Sequence, residues 1–236
     1  SVQVPPAFLG IDTRRQIAGA VIEWFYDYPG ETREEYIPGG DLFQKLNLAY
    51  DRKKGKQHNL MDLIKVIEER NLAENWQEAW AKIFCFDALI GNTDRHQENW
   101  GILHYEVGDY FSPAFDNGTA MGHEIIDRKI STKLDNLEKY IWAPRAAHHM
   151  KWNREDEKRI RHIDFLKQLT EQFPKMKEYM YSCLNFSLKS FEKEVFELLD
   201  LSNTLSEPYV KLTSERANFI IKIIEYRFQK IMETLS

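Results

Sequence analysis

The residues of this 236-residue chain whose types and spacing could do chemistry gather in two short runs. Gly91-Asn92-Thr93-Asp94-Arg95-His96-Gln97-Glu98-Asn99 places Asp94 and Asn99 at the spacing D-x-x-x-x-N, and a second acidic turn, Asp116-Asn117-Gly118, comes shortly after. Kinases use that spacing for a catalytic Asp and a magnesium-binding Asn. Transfer of a γ-phosphoryl group needs charge neutralised on the phosphate oxygens and an oriented nucleophile, because the protein itself does little covalent chemistry. Asn99 and Asp116 offer the oxygen ligands that magnesium favours, while phosphates and water fill the rest of its octahedron. Asp94 is then free to accept a hydrogen bond from an acceptor hydroxyl and to take its proton. Either fragment alone is weak, since such strings arise by chance and Asp-Asn-Gly is a common turn. Their order, with an apolar helix before the first and strand-like segments between them, gives the pair its meaning.

Several elements must position these groups. Between Asn75 and Ile90, the residues Trp76, Ala79, Ile83, Phe86 and Ile90 recur in steps of three and four, which predicts a core helix with one apolar face. Lys82 and Glu78 sit off that stripe. Gly91 and Asn92 suit its end, so the first run starts at a rigid helix terminus. Ile102 to Tyr105 and Tyr110 to Phe111 read as a hairpin around Gly108-Asp109, which would return Asp116 toward Asn99.

Upstream, Ala7 to Asp27 reads as two short strands joined at Asp12-Thr13-Arg14, with Val21, Ile22, Trp24 and Phe25 in the second. Pro29-Gly30 and Pro38-Gly39-Gly40 mark a loop, and Leu42, Phe43, Leu46 and Leu48 predict a short helix after it. From about Asp156 the pattern is helical, with one helix near Ile160 to Phe173 and a last one carrying Ala217, Ile220, Ile224, Phe228 and Ile231, capped by Thr213 or Ser214. The charged run from Lys151 to Arg161 reads as a solvated helix face. His148-His149 reads as a polar loop pair.

Composition narrows the function classes. Hydrophobic residues make up 43% and mean hydropathy is -0.55, with no uninterrupted apolar run of about 18 residues, which excludes a membrane-embedded helical protein. The formal charge of -5 gives no global pull toward nucleic acid or anionic lipid, so no direct nucleic-acid or membrane partner is expected. Cys85 and Cys183 show neither zinc-site nor disulfide-framework spacing, and a reducing cytoplasm is the expected compartment. The sequons at Asn117 and Asn185 carry little weight against that.

The run Phe86-Asp87-Ala88-Leu89-Ile90-Gly91-Asn92-Thr93-Asp94-Arg95-His96-Gln97-Glu98-Asn99-Trp100, followed by Ser112-Pro113-Ala114-Phe115-Asp116-Asn117-Gly118, resembles the C-terminal kinase domain of HipA-type bacterial toxin proteins. The resemblance extends from a segment near Val21 to the last helix. It implies an α+β, protein-kinase-like fold, with residues 1–40 as partial strands of a smaller N-terminal lobe plus the hinge, and residues 41–236 as a predominantly helical C-terminal lobe. It implies ATP and Mg2+ as cofactors and transfer to a serine or threonine hydroxyl of a protein substrate. By this resemblance Asp94 matches the catalytic Asp, His96 a histidine of the catalytic loop, and Asn99 and Asp116 the metal ligands. Glu23 and Phe25 fall where the inter-lobe hinge meets adenine. A DNA-binding antitoxin is the partner implied for toxin members.

Departures from the pattern matter for mechanism. Neither G-x-G-x-x-G nor G-x-x-x-x-G-K-[ST] occurs, and no lysine sits in a V-A-I-K-like strand before the hinge segment. In the family those elements lie upstream of the position matched by Ser1, so the expectation is a kinase incomplete without upstream residues or a complementary N-lobe polypeptide. Turnover should then be weak, because lost charge stabilisation at a transferring phosphate costs orders of magnitude in rate. The second reading is a catalytically weak pseudokinase or scaffold that keeps the fold. Ser131 and Thr132 are candidate phosphosites by position alone.

Overall fold

A computed structural model describes residues 2–26, 35–47, 49–53, 57–71, 76–206, 209 and 211–236. The expected turn at Pro29-Gly30, Asn75 at the helix start, and Leu48 lie outside them.

The chain opens with an antiparallel hairpin, β1 (Ala7–Asp12) and β2 (Ile17–Ile22), in which Ala7 faces Ile22 and Asp12 faces Ile17. Asp12 closes the turn by accepting the backbone amides of Arg14 and Arg15 at 2.9 and 3.0 Å, a local bond that favours Asp in such positions. Trp24 and Phe25, expected inside the second strand, lie beyond its end. The reason is visible in the contacts: their rings turn aside into an aromatic cluster with Tyr26.

The segment before Gly39 is a strand rather than the loop its Pro and Gly content predicts. β3 (Glu35–Pro38) pairs with β4 (Gly101–Tyr105), which pairs in turn with β5 (Gly108–Phe111), all antiparallel. Pro38 sits at the strand end, where a missing amide costs least. Gly101 allows the approach: a Cβ there would stand 2.5 Å from the Ile37 carbonyl oxygen. The β4–β5 turn falls at Glu106-Val107, two residues before the expected position, and Asp109 pairs with His104 inside the ladder.

Helices supply the rest. α1 (Gly39–Leu46) and α2 (Leu60–Glu69) pack on each other, and Asn59 caps α2 by accepting the Asp62 amide at 2.9 Å. α3 (Trp76–Ile90) is the central element, touched by α6 (His162–Gln172), α7 (Met176–Cys183) and α9 (Ser214–Leu235). Its partners lie on several sides, so it is not the single-faced helix the spacing predicts. Trp80, Ala81, Phe84, Cys85 and Ala88 are buried, while Ala79 and Phe86, placed on the predicted face, are half-buried. The short α4 (Ile130–Leu134) and α5 (Leu137–Ile141) come after a 3-10 turn at Asp127–Lys129. α8 (Leu188–Asn203) packs on α9, whose N-cap Thr213 accepts the Arg216 amide at 3.1 Å.

Residues 151–161 do not form a helix. Part of their charge goes into local bonds, because Lys151 Nζ donates to the carbonyls of Arg154 and Asp156 and Arg154 reaches Asp62 on α2 at 2.9 Å, while Glu155, Glu157 and Lys158 are exposed. His148 is buried against Phe84, Phe165 and His162, and His149 lies half-buried between His58 and His96, so this is no polar surface pair. Among the described residues no helix is long and apolar enough to cross a membrane.

Candidate active site

The Asp94 segment begins where α3 ends. Gly91 takes the left-handed conformation at φ +72 that ends helices, and the buried Asn92 then organises the loop beyond it. Its Oδ1 accepts the Asp94 amide at 3.0 Å and the Thr119 hydroxyl at 2.8 Å, its Nδ2 donates to Asp87 at 3.0 Å, and its carbonyl lies 2.7 Å from His162 Nε2. The carbonyl can only accept, so His162 carries its proton on Nε2.

Arg95 is the hub. It is 3% exposed and faces the fully buried Asp87 of α3, with Nε to Oδ2 at 3.1 Å and Nη2 to Oδ1 at 2.8 Å. Nη1 also donates to the Asn99 carbonyl at 3.1 Å and to the Phe115 carbonyl, and Nη2 reaches Asn117 Oδ1 at 2.6 Å. One guanidinium thus ties α3, the loop and the Asp116 turn together. Such a buried ion pair offsets its desolvation only when its remaining donors are also satisfied, as these are.

Asn99 is buried and donates Nδ2 to the Asp94 carbonyl at 2.9 Å. With the nitrogen committed, Oδ1 is the atom of this side chain suited to a hard cation. Asp116 is exposed and holds φ +52, a conformation uncommon outside glycine though better tolerated by Asp, and one that gathers at functional sites. An amide oxygen and a carboxylate fit magnesium, which takes one or two protein carboxylates and keeps water and phosphate for the rest. Among the described residues no group of three or more His, Cys, Asp and Glu could hold a metal.

His96 acts within the loop: its amide donates to the Asp94 carbonyl at 2.7 Å and its Nδ1 accepts the Glu98 amide at 3.1 Å. Glu98 is gripped by Arg52 through two bonds of 2.7 and 2.6 Å, and Arg52 also holds Asp41 of α1. The loop is therefore fixed from both α3 and α1. Arg159, from the irregular segment, lies within electrostatic reach of Asp94; desolvation pulls its guanidinium below the usual arginine range, and the Asp94 charge opposes that shift.

At the other edge, the Glu23 amide donates to the Pro6 carbonyl at 2.8 Å, so that donor is already used. The Phe25 ring lies 5.1 Å from that of Phe115, the residue before Asp116, and 5.9 Å from Tyr36. Glu23, Trp24 and Phe25 line an open recess of about 440 Å³ with the segment from Val2 to Pro6 and Pro113. Asp94, His96 and Asn99 are thus bonded within one loop that Arg95 ties to the turn bearing Asp116, and Phe25 reaches that turn through its ring contact with Phe115. Asp87, Arg95, Asn92 and Arg159 carry no sequence role in the motif reading. The one available signal was Asp87, a carboxylate set among apolar residues of a helix seven positions before Asp94.

A small-sheet and helical architecture built around this loop and turn defines a protein-kinase-like α+β fold. The chain belongs to the family of HipA-like C-terminal domains, whose model matches residues 11–185. It is 24% identical over 196 residues to the serine/threonine-protein kinase CtkA of Helicobacter pylori, a match covering 74% of this chain and 55% of that relative, so it spans little more than half the relative's length. The crystal structure of the Helicobacter pylori proinflammatory kinase CtkA superposes with a TM-score of 0.75 at 20% identity, covering 99% of this chain and 74% of that one. The HipA, HipB and operator DNA complex of Shewanella oneidensis is more distant, with a TM-score of 0.42 and 13% identity over 98% of this chain and 52% of that one.

Proposed function

We propose that this chain is a HipA-like serine/threonine kinase module that transfers the γ-phosphoryl group of ATP to a protein hydroxyl. The observation that carries the reading is the Arg95 tie, which joins the loop bearing Asp94 and Asn99 to the turn bearing Asp116. In this reading Asn99 and Asp116 hold magnesium, which neutralises the phosphate oxygens, and Asp94 accepts the proton of the acceptor hydroxyl. His96 orders the loop through the Glu98 amide rather than moving a proton itself, and Arg159 adds positive charge beside Asp94. The Glu23 to Phe25 segment serves as the hinge beside adenine. Because the Glu23 amide is engaged by Pro6, its carbonyl and the backbone groups of Phe25 take that role.

The lobe division belongs to the same proposal, with β1, β2 and the hinge in the smaller lobe. The resemblance puts residues 1–40 in that smaller lobe, and the pairing of β3 with β4 supports counting β3 with the larger one instead. The compartment is the cytoplasm, the substrate is a protein, and an antitoxin or a complementary N-lobe polypeptide is a candidate partner. A second reading, a weakly active or scaffold module, draws on the missing glycine-rich loop and strand lysine within these 236 residues. Labelled-phosphate transfer from ATP to a generic protein acceptor separates the two. The kinase reading expects transfer that falls by about 10²–10⁴-fold in Asp94→Asn with ATP binding kept; transfer indifferent to that change, or none at all, favours the scaffold.

A further inference from the structure

Helix α9 carries a buried cation that the site above does not use. Arg227 is 3% exposed, and its Nε has no hydrogen-bond partner among the described residues. Nη1 donates to the Ala88 carbonyl at 2.8 Å, near the C-terminal end of α3. That bond and the negative end of the helix dipole compensate part of the charge. They do not engage Nε, and leaving such a donor buried and unpaired is costly.

The guanidinium lies against Gly91, where a Cβ would stand 3.0 Å from its Cζ, Nε and Nη2. Both residues line a cavity of about 160 Å³, whose wall also includes Thr93, Thr119, His123, Tyr140 and Arg145. A pocket of about 150 Å³ in another protein admits a benzene-sized guest, so a tetrahedral oxyanion fits with room for water. Arg145, 60% exposed, stands at the wall with its Nη2 3.9 Å from Glu124 Oε1. Among the described residues Glu124 is the one carboxylate lining the cavity, and the Tyr140 hydroxyl, which donates to it at 2.9 Å, already engages it. Two arginines against one glutamate leave the cavity net positive. Burial draws the Arg227 pKa down to about 10, with Tyr140 and Glu124 opposing, so the guanidinium is charged at neutral pH.

We propose that this cavity is an anion site that takes a phosphate group, free or as a monoester, with Arg227 as its buried anchor and Arg145 as the cation nearer solvent. A guanidinium fork matches phosphate geometry, and charge-assisted bonds of this kind are the strong ones. The site is separate from the metal-binding candidates yet backs directly onto their support. Thr93 precedes Asp94, and Thr119 donates to the same Asn92 oxygen that accepts the Asp94 amide. An occupant therefore touches residues that support the loop, which makes it a means of steadying Asp94. The inference stands on Arg227 and its cavity and does not require that the chain transfer phosphate.

The test is titration with inorganic phosphate by calorimetry and thermal melting, in magnesium-free buffer with chelator and with chloride as the control at equal ionic strength. Phosphate should raise the melting temperature beyond chloride, and Arg227→Met should weaken its binding by about tenfold or more. If Arg227→Met does not fold, Arg145→Glu serves in its place, because its side chain is exposed and the change reverses charge at the wall. Equal effects of phosphate and chloride, or binding undiminished in the variant that folds, would overturn the proposal. A parallel titration with O-phosphoserine separates the sources: tighter binding than inorganic phosphate assigns the site to a monoester, weaker binding to the free ion.

Discussion

Arg95 and Asp87 meet in the interior through two hydrogen bonds of 3.1 and 2.8 Å, the side chains being 3% and 0% exposed. The pair converts the rigidity of α3 into rigidity of the loop, because the same guanidinium continues to Asn99, Phe115 and Asn117. Removing one member strands the other charge. Asp87→Ala and Arg95→Met are each expected to cost about 3–5 kcal/mol, read as a drop in the urea midpoint. Midpoints within error of the parent chain would show that the pair does not hold the loop.

Gly91 has two reasons to be glycine. Its φ is +72, which costs an L-residue about 1–2 kcal/mol, and any Cβ would press on the Arg227 guanidinium at 3.0 Å. Gly91→Ala should therefore destabilise by at least about 1 kcal/mol, whereas Gly118→Ala, with open space around it, should not. Equal urea midpoints for the two variants would contradict this account of the helix end.

Acid should unfold the chain through its histidines. Burial pushes His148 and His149 down to about 3, and His58 and His162 well below the ordinary range. In the unfolded chain these groups bind protons below about 6.5, while the folded chain leaves His148 and His149 neutral until about 3. Their stabilisation is thus complete above pH 6.5 and is lost as pH falls from there toward 3. Each fully buried neutral histidine contributes a slope of about 1.4 kcal/mol per pH unit in that window. His148→Phe, set among Phe84 and Phe165, should flatten the stability profile between pH 6 and 4 by about one proton. An unchanged slope would mean that His148 titrates normally in the fold.

Local signals made much of this legible in the sequence. Apolar periodicity located α3 and α9, Gly91 marked the end of α3, Thr213 or Ser214 marked the start of α9, and the D-x-x-x-x-N run with Asp116 gave the loop and turn. The features that escaped depend on contacts between distant segments. β3 reads as a loop because Pro38-Gly39-Gly40 is turn chemistry, and only pairing with β4 makes it a strand. The run at residues 151–161 reads as a solvated helix face, and Glu155, Glu157 and Lys158 are indeed exposed, but no helix forms because Lys151 and Arg154 bond to neighbouring carbonyls and to Asp62 on α2. Arg227 lies 139 residues from the Ala88 carbonyl it meets, a separation that no motif spans.

The claim that this loop and turn bind nucleotide through magnesium is tested most directly by the thermal melt of the chain with ATP, with and without Mg2+, for the parent and for Asp116→Ala. At about 100 times the dissociation constant, ATP should stabilise the parent by about 2.7 kcal/mol when Mg2+ is present, and Asp116→Ala should abolish the magnesium-dependent part. No magnesium-dependent shift in the parent, or an equal shift in Asp116→Ala, would contradict it.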